Sequence, residues 1–199
     1  MNNGLLWLPS AYSEGFSVAF CAGESAQGML AKMGADPAHM IALSGGEAEA
    51  IEMHNFEPDD TDLESIDLDV TELQEHGFLG PDAVILRAGS FDGWAFAIQS
   101  FGTYATDARM NERISVETQC ISYSRTVNAD TWVQYAKHGE IVDSFDPFVP
   151  GAADPDWLDL DELAAAHDEN AYVLGRLESH FNLYVPSGES TERLSRPRS

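Results

Sequence analysis

The sequence predicts an α+β fold in which a mainly antiparallel central sheet of about five strands is packed by N-terminal and C-terminal helices. Between residues 83 and 145, short runs of alternating apolar residues are separated by turn signals, a pattern typical of neighbouring strands. Apolar residues return to helical spacing before and after this region. Because 44% of the 199 residues are hydrophobic, the chain can bury a substantial core.

The first part of the chain predicts one strand and two helices. Residues 5–8 are apolar and predict a short helical turn or arm that packs on the domain. Residues 16–21 alternate at period two and predict a strand. A helix is expected over 24–32, closed by Gly34 as a C-cap, and another over 47–54.

The centre of the chain predicts the body of the sheet. A loop with hairpin chemistry follows the first of its strands, and Thr106 is the expected N-cap of a helix that runs to Arg113. His138-Gly139 predicts a tight hairpin. The expected strands are 83–87, 94–99, 116–127, 131–137 and 140–145.

The C-terminal part returns to helical spacing and then becomes polar. We predict a main α+β domain over 1–150, with an acidic insert at 55–82. Residues 151–185 are predicted to form a C-terminal helical extension that packs on this domain, and residues 186–199 a disordered tail.

The charge is the most unusual feature of the composition. The chain has 34 acidic and 10 basic residues, a formal net charge of −24, and residues 1–86 hold 16 acidic residues and one base, Lys32. Such a field repels nucleic-acid phosphates and anionic membranes and attracts cationic protein surfaces. We therefore expect a basic protein partner and neither direct nucleic-acid binding nor membrane binding. General solubility or a bias in genome composition is an alternative cause of the acidity.

The insert and two aromatic residues are the candidate partner-binding positions. The insert is either a solvated segment with one short helix or an acidic docking surface with apolar anchors. Trp132 and Tyr135 lie in predicted strands and belong either to the sheet core or to an aromatic recognition face. The candidates are Asp59, Asp60, Asp62, Glu64, Asp67, Asp69, Trp132 and Tyr135.

Cysteine content and hydropathy indicate in which cellular compartment the protein is expected. The two cysteines, Cys21 and Cys120, lie in predicted strands far apart in sequence and do not suggest a disulfide framework. No secretory signal pattern and no run of transmembrane length occurs in the sequence. We therefore expect a cytoplasmic protein.

No motif predicts a catalytic residue, a metal site or a cofactor. Phosphate-binding loops, dinucleotide fingerprints and nucleophile elbows are all missing from the sequence. The run that begins at Asp60 opens like a calcium loop, but it has Ser65 in place of the required Gly and Thr71 in place of the bidentate Glu. Both cysteines are interpreted as small buried apolar groups.

Two blocks of sequence carry a family resemblance. In the first, a strand ends at Gly23 and is followed by a helix that closes at Gly34. In the second, a strand opens with Gly93-Trp94 and a later hairpin ends in Phe145-Asp146-Pro147. This order resembles a bacterial domain family of unknown function, in which the position of Gln99 is often acidic. The resemblance implies the fold and no catalytic residues.

Three functions remain open from the sequence. The first is an acidic binding or inhibitory module, like immunity proteins or DNA mimics, that docks on a cationic partner. The second is an enzyme of unfamiliar type, such as a hydrolase with carboxylates at the sheet ends, around Asp92 and Asp146. The third is an assembly subunit that engages its neighbours through residues 5–8 and the basic tail. We rank them in this order.

Overall fold

The computed structural model describes residues 4–36, 39–58, 63, 68–81, 83–153, 155–186 and 192–195. Its strands are β1 (Phe16–Ala22), β2 (Ile41–Leu43), β3 (Leu86–Phe91), β4 (Trp94–Ser100), β5 (Gln119–Arg125), β6 (Thr131–Lys137), β7 (Glu140–Phe145) and β8 (Glu192–Ser195). Its α-helices are α1 (Leu8–Ala11), α2 (Ala26–Lys32), α3 (Gly45–Phe56), α4 (Val70–Glu75), α5 (Ala108–Ile114), α6 (Leu160–Ala165) and α7 (Glu169–Phe181).

All strands belong to one antiparallel sheet, in the order β2-β8-β3-β4-β1-β5-β6-β7. The predicted α+β class with an antiparallel sheet is therefore confirmed. The predicted number of about five strands is wrong, because six strands of six or seven residues form the body of the sheet. The N-terminal strand β1 inserts between β4 and β5, and the short strands β2 and β8 extend one edge.

Strand β1 explains why the sheet has helices on both faces. Phe16, Val18 and Phe20 point to one face and pack with the core that includes α6 and α7. Ala19 and Cys21 point to the other face and pack with the core that includes α2 and α5. Alternate residues of a strand point to opposite faces, so a strand that is buried throughout must be covered twice. The result is a helix–sheet–helix sandwich.

Two-residue turns close two hairpins at the same end of the sheet. Asp92 and Gly93 join β3 to β4 with φ of 46° and 84°, and His138 and Gly139 join β6 to β7 with φ of 54° and 81°. Positive φ at both positions is the geometry of the type I′ turn, which matches the twist of the flanking strands. The hairpin predicted at His138-Gly139 is confirmed, whereas β3 extends through the residues that were expected to form a loop.

Side-chain caps start the helices where the sequence places Ser or Asp. Ser44 and Glu47 form a reciprocal capping box at α3. Helix α5 begins after Asp107, whose carboxylate accepts the Met110 N–H, so the predicted N-cap at Thr106 is wrong by one residue. The other side-chain caps are Ser25 for α2, Asp69 for α4, Asp159 for α6 and Asp168 for α7.

The N-terminal segment and the C-terminal helices share the core of β1. Leu5 and Leu8 are fully buried there beside Leu174 and Leu177 of α7. The Leu5 N–H donates to Glu178 Oε2 at 2.8 Å. The last described strand, β8, pairs with both β2 and β3 within the region that the sequence analysis assigns to a disordered tail.

Helices α3 and α4 enclose a third, smaller core at the β2 edge. Ile51 of α3 and Leu73 of α4 are buried there together with Phe78 and Ile85. Within the described ranges, no helix combines the length and the apolar character needed to cross a bilayer.

Candidate docking groove

A groove opens at the end of the sheet opposite the two hairpins. Phe16, the first residue of β1, pairs with Ser100 at the end of β4 and with Arg125 at the end of β5. The segments that enter or leave these strands therefore meet the C-terminal end of α3. Together they enclose a volume of about 410 Å³. The docking groove is lined by Glu14, Gly15, Phe16, Met53, Phe56, Glu57, Phe101, Gly102, Thr103, Arg125, Thr126 and Val127.

Apolar side chains form most of the groove surface and are unusually exposed. Phe56 is 69% exposed, Val127 is 67% exposed and Phe101 is 39% exposed. The rings of Phe56 and Phe101 stack with their centroids 6.1 Å apart and an interplanar angle of 19°. Phe56 and Phe101 also line a second hollow of about 180 Å³. Exposed aromatic side chains gathered at a groove make it a candidate binding site.

The backbone at Phe101 is strained. Its φ of 59° lies in the left-handed region, which bulky residues rarely adopt. Its N–H donates to the carbonyl oxygen of Gly15 at 3.3 Å. Gly15 has a φ of 108°, and a Cβ there would lie 2.8 Å from the carbonyl oxygen of Arg125. Only glycine therefore lets the three segments approach this closely.

A buried ion pair holds the residue that precedes Phe101. Glu52 Oε1 accepts the N–H of Ser100 at 3.3 Å, and Arg87 donates to the Ser100 hydroxyl. Glu52 and Arg87 pair at 3.3 Å, with both side chains almost fully buried. The guanidinium of Arg87 also lies 4.6 Å above the ring of Tyr12. These contacts fix where β4 ends and hence where Phe101 is presented.

Gln99 holds the segment on the other side of Phe101. Its Oε1 accepts the N–H of Tyr104 at 2.8 Å. A Cβ at Gly102 would lie 2.2 Å from Gln99 Nε2, so the amide occupies the space that a side chain there would need. The Tyr104 hydroxyl donates to the carbonyl of Met33 at 2.8 Å, and burial raises the pKa of this phenol. Both sides of Phe101 are thus fixed by side chains.

The charges at the groove have both signs. Glu14 and Glu57 are exposed at its rim. Arg125 is half-buried and lines the same groove. Within the described part of the chain, no carboxylate lies within ion-pairing distance of Arg125. The groove therefore offers apolar surface together with separate cation-binding and anion-binding groups.

Most of the acidic residues predicted to bind a partner fall outside the described residues. These are Asp59, Asp60, Asp62, Glu64 and Asp67. Asp69 is described, and its carboxylate accepts the N–H of Glu72 at 3.0 Å as the N-cap of α4. Its position is explained by this cap, and a role of the insert in binding stays a prediction.

The two predicted aromatic residues point to opposite faces of β6. Trp132 is 42% exposed, and its indole N–H donates to the Ser144 hydroxyl at 3.0 Å. Tyr135 is partly buried against the core that includes α6 and α7, with its ring 5.7 Å from that of Phe181. Neither lines the docking groove. They do not form one recognition face, because residues three apart in a strand point in opposite directions.

The carboxylates proposed for an enzyme are not brought together. Asp92 lies in the hairpin between β3 and β4 and accepts from the Asn182 amide at 3.0 Å. Asp146 follows β7 at the groove end of the sheet and accepts the N–H of Phe148 at 2.9 Å. Each is used in a local contact, and they lie at opposite ends of the sheet.

The cysteines are neighbours across two strands. Cys21 and Cys120 lie directly opposite each other on β1 and β5, and both are free and fully buried. Burial raises the pKa of Cys21 to about 11 and raises that of Cys120 well above its usual value. A thiolate nucleophile is therefore scarce at neutral pH. Both fit the predicted role of small buried groups.

Other clusters offer less for binding. No group of three or more His, Cys, Asp or Glu side chains with the geometry of a metal site occurs among the residues the structure describes. A larger depression of about 860 Å³ runs along α5, where exposed polar side chains such as Asp107 and Arg109 line it. It lacks the exposed aromatic surface of the docking groove.

The docking groove was not predicted from the sequence because its walls come from four segments that are far apart in the chain. Phe56 is the last residue of α3, and residues 101–102 directly follow β4. The one local sign of an unusual backbone was a bulky residue, Phe101, directly before Gly102 at the end of β4. It indicates a special turn and does not indicate that the ring is exposed.

No curated protein and no solved structure matches this chain. A family model described as a family of unknown function (DUF6461) matches residues 5–168. The matched range contains α1 to α6 and β1 to β7, including every residue that lines the docking groove. The chain therefore belongs to this family of unknown function, DUF6461.

Proposed function

We propose that the protein is an acidic binding module of the inhibitory kind, like immunity proteins or DNA mimics, which docks on a cationic protein through the docking groove. The observation that carries the proposal is the exposed stack of Phe56 and Phe101 beside the carboxylates of Glu14 and Glu57. The stack supplies an apolar anchor, and the carboxylates supply complementarity to a basic surface.

The apolar surface is large enough to matter for affinity. Burying one exposed side chain of the size of Phe contributes about 1.5–3 kcal/mol. Binding hot spots are typically aromatic residues in a depression that a partner can desolvate. Phe56, Phe101 and Val127 together meet this description because all three are exposed at one groove.

The net charge accounts for the choice of partner. A formal charge of −24 attracts a basic protein over the Debye length of about 8 Å at physiological salt and speeds the encounter. Rim charges mainly change the association rate, whereas the buried anchor sets the dissociation rate. We therefore expect association to weaken with added salt and dissociation to depend on the two aromatic rings.

The other two functions lack a supporting contact. Asp92 and Asp146 do not share a cleft, which removes the motivation for a hydrolase built on them. Leu5 and Leu8 are fully buried in the protein's own core, whereas Leu6 is 53% exposed, and most of the basic tail lies outside the described residues, so assembly stays a prediction without a supporting contact. The docking function remains the one that the contacts favour.

Photo-crosslinking in the native cell tests the proposal. Phe101 is replaced by a benzophenone-bearing phenylalanine analogue, and the matched control carries the same analogue at Phe91. Phe91 is a good control because it is 43% exposed at the opposite end of the sheet. The expected result is one adduct with a protein of basic sequence at position 101 and none at position 91.

Two further measurements decide whether the adduct reflects docking. The purified pair should bind more weakly at high salt, and Phe56→Ala should abolish binding without unfolding the protein. Equal crosslinking at both positions, or a partner with an acidic sequence, would refute the proposed function.

A further inference from the structure

Arg125 is the polar residue of the docking groove whose environment is least explained. It is the last residue of β5, is half-buried and lines the groove. Its Nε is buried and has no hydrogen-bond partner in the described chain. No ion pair with a carboxylate of the described chain includes Arg125, so its positive charge is available to an anionic group that enters the groove.

Three other cations of this acidic protein have a carboxylate or carbonyl partner within the chain. Lys32 pairs with Glu24 at 2.6 Å, and Arg87 pairs with Glu52. Arg176 donates from its Nε to the carbonyl of Trp157 at 2.8 Å. Arg125 differs because no carboxylate of the described chain lies within ion-pairing distance of it, although Glu14 and Glu57 line the same groove.

We infer that the docking groove binds the C-terminal residue of its basic partner, with the α-carboxylate on Arg125 and a bulky apolar side chain against Phe56 and Phe101. This inference rests on the proposed function, because it names the part of the cationic partner that enters the groove. It adds the identity of the anchor and the residue that recognises it.

The chemistry of the groove matches a chain terminus on three counts. A guanidinium donates charge-assisted hydrogen bonds to a carboxylate. The rings of Phe56 and Phe101 offer a stacking surface for an aromatic or large aliphatic side chain. The exposed Glu14 and Glu57 at the rim suit the basic residues that precede the terminus.

A C-terminal residue fits better than an internal acidic residue. At a terminus, one Cα carries both the carboxylate and the apolar side chain, so both reach a groove of about 410 Å³ together. An internal Asp or Glu has a carboxylate but no apolar group of its own.

Binding of short synthetic peptides to the full-length protein tests the inference. The peptides share a basic segment and carry each natural residue in turn at the last position, once as the free acid and once as the amide. We expect the free acids that end in Trp, Phe or Leu to bind at least about tenfold more tightly than their amides, the range of a charge-assisted hydrogen bond. Arg125→Gln should weaken the acids to the level of the amides.

The outcomes separate the inference from the function on which it rests. Equal affinity of acids and amides for the unmodified protein would overturn the inference, whereas weakening of both by Phe101→Ala would still support docking. If no peptide bound, or if Phe101→Ala changed nothing, both the docking proposal and the inference would be overturned. Because the comparison of acids with amides uses the unmodified protein, it does not depend on the folding of a variant.

Discussion

Both ends of the sheet contain residues with positive φ, but the types of residue that adopt this conformation differ. At the hairpin end, residues with positive φ are Asp92 and His138, each followed by Gly. At the groove end, Phe101 adopts a φ of 59°, although its bulky side chain disfavours this conformation. The hairpin end can be read from local sequence, because its turns use the residues that type I′ turns require.

The difference indicates where the molecule departs from what folding alone needs. Strained residues persist only where surrounding contacts hold them, and they concentrate at functional sites. Around Phe101 those contacts are the buried pair of Glu52 and Arg87, the carbonyl of Gly15 and the amide of Gln99. At the groove end, these stabilising contacts therefore hold an aromatic side chain in a strained and exposed position.

The largest expected difference between the ends concerns their ion pairs. Glu52→Gln leaves the buried charge of Arg87 without its counter-ion and should lower the free energy of unfolding by about 3–5 kcal/mol. At the hairpin end, Lys32→Ala removes a partly exposed pair and should cost at most about 1 kcal/mol. Urea denaturation of both variants measures the difference. Similar losses would show that the buried pair does not hold the groove end.

The next difference concerns glycine. Gly15→Ala places a Cβ 2.8 Å from the Arg125 carbonyl at a φ of 108° and should cost about 2–4 kcal/mol. Gly93→Ala has a φ of 84° but nothing within 4 Å, so only the backbone penalty of about 1 kcal/mol is expected. Thermal and urea unfolding of the pair check this. If Gly93→Ala were the more damaging, the account of a crowded groove end would be wrong.

A smaller effect is expected at Phe101 itself. Phe101→Gly relieves the left-handed strain but loses the stack with Phe56, so the free energy of unfolding should change by about 1 kcal/mol or less. Binding of a partner should be lost in the same variant. A loss of several kcal/mol would mean that Phe101 serves the fold and is not primarily a binding residue.

The smallest effect is the pH dependence of the stability contributed by Glu24 and Lys32, the partly exposed ion pair at the hairpin end. The hydrogen bond from Lys32 lowers the pKa of Glu24 below 4.5, and Glu24 in turn raises the pKa of Lys32 above 10.5. The stability that Glu24 contributes is therefore full above pH 4.5 and is lost as the pH falls through its lowered pKa. The contribution of Lys32 is full below pH 10.5 and is lost as the pH rises through its raised pKa.

Glu24→Gln tests this window. The difference in unfolding free energy between the unmodified protein and Glu24→Gln should be about 0.2–1 kcal/mol at pH 7 and should vanish once the pH falls below the lowered pKa of Glu24. A difference that grew on acidification would contradict the assignment. High salt should reduce the difference at pH 7, because the pair is partly exposed.

Local sequence predicted much of the fold. The strands β6 and β7 have the predicted bounds, because period-two alternation and His138-Gly139 determine them locally. Helix α7 ends at Phe181, before Asn182, which adopts the left-handed C-cap conformation. The central position of β1 was missed, since pairing with β4 and β5 joins segments far apart in sequence.

The docking groove could not be predicted for the same reason. Whether a phenylalanine is exposed depends on what covers it, and Phe56 and Phe101 come from different elements. From the sequence, Trp132 and Tyr135 could belong either to the sheet core or to a recognition face, because alternation places aromatic residues in strands without showing which layer covers each face. The charge suggested a basic partner but did not indicate where it binds.

Backbone amide NMR during titration with a basic peptide that ends in Trp tests the central claim most directly. We predict chemical-shift changes confined to the residues of the docking groove, at 14–16, 53–57, 101–103 and 125–127. These changes should be lost in Phe101→Gly. Shifts centred on α5, or on the hairpins at Asp92 and His138, would contradict it. They would mean that the exposed phenylalanine stack is not the surface on which partners dock.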